Sequence, residues 1–222
     1  MMSEPGLGPL QILILKELAT LQPAWTLTGG GALSLCYLSQ RETRDLDLFF
    51  HGQHRLGGAT EAVRSRLGEA GLQVTSIQTS PTFARLRVAQ AGLVTVVDLV
   101  AEPVPCVEPP CTYKVEEVEI LVDTPFEILV NKLTALLSRS ELRDLSDVRQ
   151  LLLQGLDLDK ALDAAPTKDG GFSALTLAWV LQGLSVPHLA QGLTLDPGAT
   201  QTLVEFKEIL IRRLLEGCRP EV

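Results

Sequence analysis

The stretch Trp25–Phe50, "WTLTGGGALSLCYLSQRETRDLDLFF", decides how the chain is read. A short apolar run ends at Gly29, Gly30 and Gly31, and an apolar segment of helical character follows. Asp45 and Asp47 come next, in an Asp-Leu-Asp pattern flanked by Leu48, Phe49 and Phe50. Strand, glycine turn and helix start together make an anion cradle. Glycine lets the backbone come close to a ligand, and the first N–H groups of a helix point at it. On a strand, residues two apart leave the same face, so Asp45 and Asp47 project together while Leu46 and Leu48 face the core. Two adjacent carboxylates repel unless a cation lies between them, and an all-oxygen pair suits a hard ion such as Mg²⁺. The plainer alternatives are a tight turn for the glycines and a solvated face for the aspartates.

Working outward, β-type patterning continues through "QVTSIQ", "TFARLRVAQ" and "LVTVVDLV", with a turn at "AQAG". "ATEAVRSRLGEAGL" between these and the aspartates reads as a helix closed by Gly71 at C′. "PLQILILKELATL" reads as an N-terminal amphipathic helix. Asp98 interrupts an otherwise apolar strand, and an unpaired carboxylate there is costly to bury. If the strands are neighbours, Asp98 joins Asp45 and Asp47, and three carboxylates around metal ions is an arrangement for phosphoryl transfer.

After a Pro-rich loop and a possible strand at "EVEILVD", the character changes to helix. Thr124, Pro125 and Glu127 have the spacing of a capping box. The helix that follows carries Lys132 and Arg139 seven apart, on one face with Ala135 and Leu136 between them, as cations aimed at a triphosphate or as ordinary surface charges. "SRSEL" is a candidate break, with Asp144 or Ser146 capping a new helix. The last helix starts at Asp196 and Pro197, carries Leu203, Phe206, Leu210 and Leu214 on one stripe, and is expected to end at Gly217. The expected organisation is a mixed α/β core over residues 1–122 and a helical C-terminal region over 123–222.

The whole chain of 222 residues can bury a core without staples. A net charge of -8 argues against a broad nucleic-acid coat, although Arg85, Arg87, Arg64, Arg66, Arg41 and Arg44 leave room for a local patch. The N-terminus lacks the features of a signal peptide and no apolar run is long enough to span a bilayer, so the expectation is a cytoplasmic protein with no membrane partner. Cys36, Cys106, Cys111 and Cys218 then read as reduced thiols. Cys106 and Cys111 are too widely spaced, with too few further ligands nearby, to read as a zinc pair.

The pattern resembles the first motif of the DNA polymerase β nucleotidyltransferase superfamily, a helix-opening Gly-Gly or Gly-Ser followed by Asp-x-Asp. More closely, it is similar to the AbiEii/AbiGii-type nucleotidyltransferase toxins. Gly29, Gly30, Gly31, Ala32 and Leu33 match one motif together with Arg41, Thr43, Asp45, Asp47 and Leu48. Lys132, Ala135, Leu136, Arg139, Arg143, Asp144 and Asp147 match a later one. The resemblance runs from about Leu21 to Leu153. It implies a polymerase-β-like core and transfer of a nucleoside monophosphate from an NTP such as ATP to an acceptor hydroxyl, on RNA (tRNA) or protein. An antitoxin partner is also implied. By the same resemblance, Gly29 and Gly30 cradle phosphates, Asp45 and Asp47 hold Mg²⁺, and Asp98 holds a second ion and helps deprotonate the acceptor. Lys132 and Arg139 neutralise the triphosphate, and Asp144 is structural or near the nucleotide. Gly31 stands where the family often has a hydroxyl residue, so a phosphate contact is expected to be missing. The alternatives are a non-catalytic nucleotide-binding or protein-interaction module on the same fold, and a small-molecule (antibiotic-type) nucleotidyltransferase whose acidic surface suits a cationic acceptor.

Overall fold

The computed structural model describes residues 6–38, 43–193 and 195–216. The chain forms two compact units, Met1–Pro125 and Phe126–Val222.

The first unit is built on a seven-stranded mixed sheet in the order β3-β4-β5-β2-β1-β7-β6. Its elements are α1 (Pro9–Leu18), β1 (Thr26–Thr28), α2 (Gly29–Ala32, running on as a π-turn over Leu33–Tyr37), β2 (Asp45–His51), α3 (Ala59–Glu69), β3 (Gln73–Thr79), β4 (Phe83–Gln90), β5 (Leu93–Glu102), β6 (Cys111–Val115) and β7 (Val118–Val122). Strand β2 sits centrally, antiparallel to β1 and parallel to β5. Its even-numbered residues Leu46, Leu48 and Phe50 are buried while Asp45, Asp47, Phe49 and His51 are half-buried on the other face. This is the period-two alternation of the sequence made physical.

Helix α1 buries Leu10, Ile14, Leu15 and Leu18, one helical stripe. Its end is fixed by Trp25, whose indole Nε1–H donates to the Leu18 carbonyl at 2.8 Å. Burying four such side chains contributes roughly 1.5–3 kcal/mol each, before conformational entropy is set against it. The hairpin β4–β5 turns at Ala91 and Gly92, with φ of 50° and 81°. Both central residues are left-handed, as a tight hairpin of this hand requires. Strand β6 carries no clear sequence signal. It forms because a two-residue turn at Glu116 and Glu117 folds "CTYKV" back on β7, and Lys16 pairs with both of those glutamates.

The second unit holds α4 (Pro125–Arg139), α5 (Leu142–Leu153), α6 (Leu158–Lys168), α7 (Ala174–Gly183), α8 (Val186–Leu193) and α9 (Pro197–Glu216). Helix α9 is capped by Asp196, whose carboxylate accepts from the Ala199 N–H at 2.9 Å; the expected end at Gly217 lies outside the described residues. Of its expected stripe, Leu203, Leu210 and Leu214 are buried and Phe206 is half-buried. The break between α4 and α5 falls at Ser140, φ 52°. Neither Asp144 nor Ser146 caps α5. The helix opens at Leu142, and Asp144 is buried in its first turn because two cations claim its carboxylate.

Candidate active site

The site begins where β1 ends. Thr28 lies opposite Asp47 across the β1–β2 pair, and the chain turns at Gly29 with a left-handed φ of 56°. The glycines are not a loop before the helix, as the sequence suggested, but its first turn. A Cβ on Gly29 would lie 2.6 Å from Asp47 Oδ2 and 3.3 Å from its Cγ. Glycine is therefore required twice here, by backbone conformation and by the carboxylate packed against it.

Gly31 answers to a different need. A Cβ there would meet Leu27 Cδ1 at 3.0 Å and Leu46 Cδ2 at 3.4 Å, side chains of the buried core face. The side-chain direction at Gly31 leads to packed leucines, away from the carboxylates.

Across the sheet, Asp47 is the register partner of Asp98 on β5, and Asp98 of Arg85 on β4. Thr28, Asp47, Asp98 and Arg85 thus form one row over four strands, with Asp45 one step along, opposite Val96. The cation that Asp98 needs is Arg85. Its Nε and Nη2 donate to the two carboxylate oxygens at 2.8 and 2.6 Å, a bidentate pair. Asp98 is buried, while the Arg85 side chain is 43% exposed and leans over the Phe83 ring, 5.7 Å from its centroid. The Arg85 guanidinium is held above its ordinary value, first by the hydrogen bonds to Asp98 and then by the charges of Asp98, Asp45 and Asp47. It stays a fixed positive charge beside an acidic pair. Asp45, Asp47 and Asp98 do not bring three ligand atoms within 4.8 Å of one another.

Arg85, read in the sequence as part of a local basic patch, is the ion-pair partner of Asp98. The signal was available. Folding the chain at Ala91–Gly92 sets Gln90 against Leu93, and counting outward sets Arg85 against Asp98. Arg87, on the same face, is exposed. Arg41 lies outside the described residues.

The other predicted residues belong to the second unit. Lys132 is buried, and its Nζ lies 2.7 Å from Asp144 Oδ1 and 2.8 Å from Asp147 Oδ2. Arg139, half-exposed, donates from Nε and Nη2 to the same Asp144 at 2.7 and 2.9 Å. Burial works against the charge on Lys132, but Asp147 and Asp144 outweigh it and hold the ammonium above its usual range. Burial likewise opposes ionisation of Asp144, and Arg139 and Lys132 overcome it, holding the carboxyl below its usual range. Two cations and two carboxylates therefore form one connected network. A second buried pair in the same unit joins Lys168 to Glu127, with Asn131 also donating to Glu127. Thr124, read as a cap, gives its hydroxyl to Glu108 at 2.6 Å.

Residues 13–215 match the family model described as nucleotidyl transferase AbiEii toxin, type IV TA system. Among solved structures, a candidate nucleotidyltransferase from H. pylori superposes with a TM-score of 0.53 at 20% identity, covering 99% of this chain and 100% of that one. JHP933 from Helicobacter pylori gives 0.52 at 19%, covering 98% and 97%. An antigenic nucleotidyltransferase-like protein from Paracoccidioides brasiliensis gives 0.53 at 19%, covering 87% and 94%. At such identities the likeness is one of fold. Comparison with curated protein sequences gives no match.

Proposed function

The chain belongs to the AbiEii nucleotidyltransferase toxin family of type IV toxin–antitoxin systems, and from that premise we propose that it moves a nucleoside monophosphate from an NTP to an acceptor hydroxyl of RNA, tRNA included, or of protein, with pyrophosphate leaving. The observation that carries the proposal is the row Thr28–Asp47–Asp98–Arg85, with Gly29 cleared of any side chain against Asp47.

Asp45 and Asp47 suit Mg²⁺ on their own terms. They are all-oxygen donors on one strand face, and a Cβ at Gly29 would fill the space at Asp47 Oδ2. Magnesium, when bound, supplies charge neutralisation at the transferring phosphate and lowers the pKa of the attacking hydroxyl. The backbone N–H groups at Gly29 and Gly30 are the natural hold for the phosphates at the start of α2. Asp98 is the third acid of the set. Each of its oxygens accepts one hydrogen bond from Arg85 and keeps a second lone pair for a metal ion or for the acceptor's proton. Arg85 is partly exposed and has N–H groups beyond those given to Asp98, which suit a phosphate oxygen. In the second unit, Lys132 is buried between two carboxylates, whereas Arg139 is the more exposed cation for a triphosphate. The toxin reading also implies an antitoxin that restrains the transfer.

The test offers labelled ATP, CTP, GTP and UTP with Mg²⁺ or EDTA, with total RNA and protein as acceptors. Transfer that needs Mg²⁺ and is lost by several orders of magnitude in Asp47→Asn supports the reading. Wild-type transfer by Asp47→Asn overturns it. The second reading is a nucleotide-binding module without catalysis, in which Asp98 serves only as the ion-pair partner of Arg85. Magnesium-independent NTP binding with no label moved onto any acceptor identifies that case.

A further inference from the structure

We propose that His51, Cys106 and Asp123 form a second metal site, for a zinc-class divalent cation, distinct from the carboxylate row. Each residue offers one donor atom, and the three donors lie within 4.8 Å of one another. Three well-separated parts of the first unit meet there. His51 ends β2, on the same face as Asp45 and Asp47. Asp123 follows β7 and is fixed by its backbone N–H, which donates to the Leu27 carbonyl at 3.0 Å. Cys106 sits in the Pro-rich segment between β5 and β6. That segment is tied at one end by the Val104 N–H to Glu102 at 2.9 Å, and at the other by Glu108 to the Thr124 hydroxyl at 2.6 Å.

The hydrogen-bond account points to a cation. The Asp123 side chain is fully buried. His51 Nε2 lies 3.2 Å from its Oδ1, but Asp123 Oδ2 is buried with no partner, and so is His51 Nδ1. If the ring proton is on Nε2, Nδ1 is a bare acceptor, and the cluster then holds two buried acceptors with no donor. Each such orphan costs about 1–3 kcal/mol, more where the group is charged. A proton on Nδ1 instead would leave two acceptors facing each other at 3.2 Å. An ion held by Nε2, Oδ1 and the Cys106 sulfur removes that repulsion, with the ring proton on Nδ1.

The donor set chooses the ion. Nitrogen, sulfur and oxygen together are wrong for Mg²⁺ or Ca²⁺, which take oxygen, and right for Zn²⁺ and its first-row neighbours. With bonds of about 2.0–2.3 Å to such ligands in a tetrahedron, donor atoms sit roughly 3.3–3.7 Å apart, close to the 3.2 Å already present between His51 and Asp123. Three protein ligands leave the fourth position to water or an added ligand. Binding sends the Cys106 thiol proton to solvent, since the thiolate is the ligand. The bound ion cross-links the ends of β2 and β7 to the Pro-rich segment. Asp123 also accepts the Tyr37 hydroxyl on its carbonyl at 3.1 Å, which connects the site to the π-turn that continues the glycine helix.

The inference does not depend on the transferase reading, and its test needs no activity. The chelator-stripped full chain is titrated with Co²⁺ and Zn²⁺, followed by thiolate-to-cobalt charge-transfer absorption, metal content after gel filtration and thermal melting. Cys106→Ser and His51→Gln are the site variants. Cys111→Ser is the control, because that exposed thiol faces Tyr37 at 3.5 Å and lies outside the cluster. Circular dichroism checks that all variants fold. One equivalent bound, a thiolate band and a raised Tm are expected in wild type and Cys111→Ser. The band should vanish in Cys106→Ser, and affinity should fall at least 10-fold in His51→Gln. Absence of a thiolate band in wild type, or an unchanged band in Cys106→Ser, overturns the proposal.

Discussion

Replacing Gly29 by alanine tests the core of the site most directly. Two costs follow from its position. The backbone φ of 56° is left-handed, and placing an L side chain there costs about 1–2 kcal/mol. The new Cβ would also start 2.6 Å from Asp47 Oδ2, so ordinary contact at 3.4 Å needs about 0.8 Å of movement by the turn or the carboxylate. A displacement near 1 Å of a group that positions reactants costs on the order of 100-fold in rate. Gly29→Ala should therefore lower stability by roughly 1–2 kcal/mol, a fall of a few degrees in Tm for a chain of this size, and lower nucleotide transfer about 100-fold. Gly31→Ala is the matched control. Its Cβ meets Leu27 and Leu46 in the core, so it should cost roughly 1–3 kcal/mol by overpacking while transfer, measured well below its Tm, stays within a few-fold of wild type. Urea denaturation and initial rates of label transfer on the same preparations give both numbers. A Gly29→Ala protein with a wild-type rate would refute the argument, as would a Gly31→Ala protein of normal stability that fails to transfer.

Removing Lys132 leaves Asp144 and Asp147 buried without their shared ammonium. Lys132→Met should cost about 3–5 kcal/mol by denaturant unfolding, so lost activity in that variant is to be read only beside its melting curve. The same network sets a pH window. The Asp144 carboxyl is held below its ordinary value in the fold, so its contribution is full above the unfolded value, about pH 4, and is lost as pH falls through the depressed one. Lys132 is held above its ordinary 10.5, so its contribution is full below that value and is lost as pH rises through the raised one. Urea melts across pH should show both limbs, with the acid limb shallower in Asp144→Asn. At the carboxylate row, Arg85→Gln takes the cation from Asp98. If Asp98 is a metal ligand, half-maximal transfer should need several-fold less Mg²⁺ in this variant; an unchanged or raised requirement would remove Asp98 from the metal set.

The parts of the fold that the sequence makes legible are those whose signals are local. The alternation of β2, the stripe of α9 and the Asp196 cap each lie within one element, and each is found where its pattern puts it. What escapes is non-local. Strand β6 has no patterning of its own and exists through pairing with β7. Arg85 looks like surface charge until the hairpin register sets it on Asp98. Lys132 and Arg139, spaced as if for a phosphate, are held by Asp144, a residue the linear pattern offers as a helix cap. Cys106 and Cys111 invite each other by proximity in sequence, yet Cys111 turns to Tyr37 and Cys106 to His51 and Asp123. These cases share one cause. A buried charge or thiol takes its character from whichever chain segment folds against it, and the energy at stake, several kcal/mol for an unpaired buried ion, exceeds any local propensity. Charge is where the consequence for function is largest. Of the cations the sequence offers for a nucleotide or nucleic acid, Arg85, Lys132 and Arg139 are each held by a carboxylate. A phosphate reaching any of them meets a cation already shared with a carboxylate, whose like charge weakens the phosphate's hold.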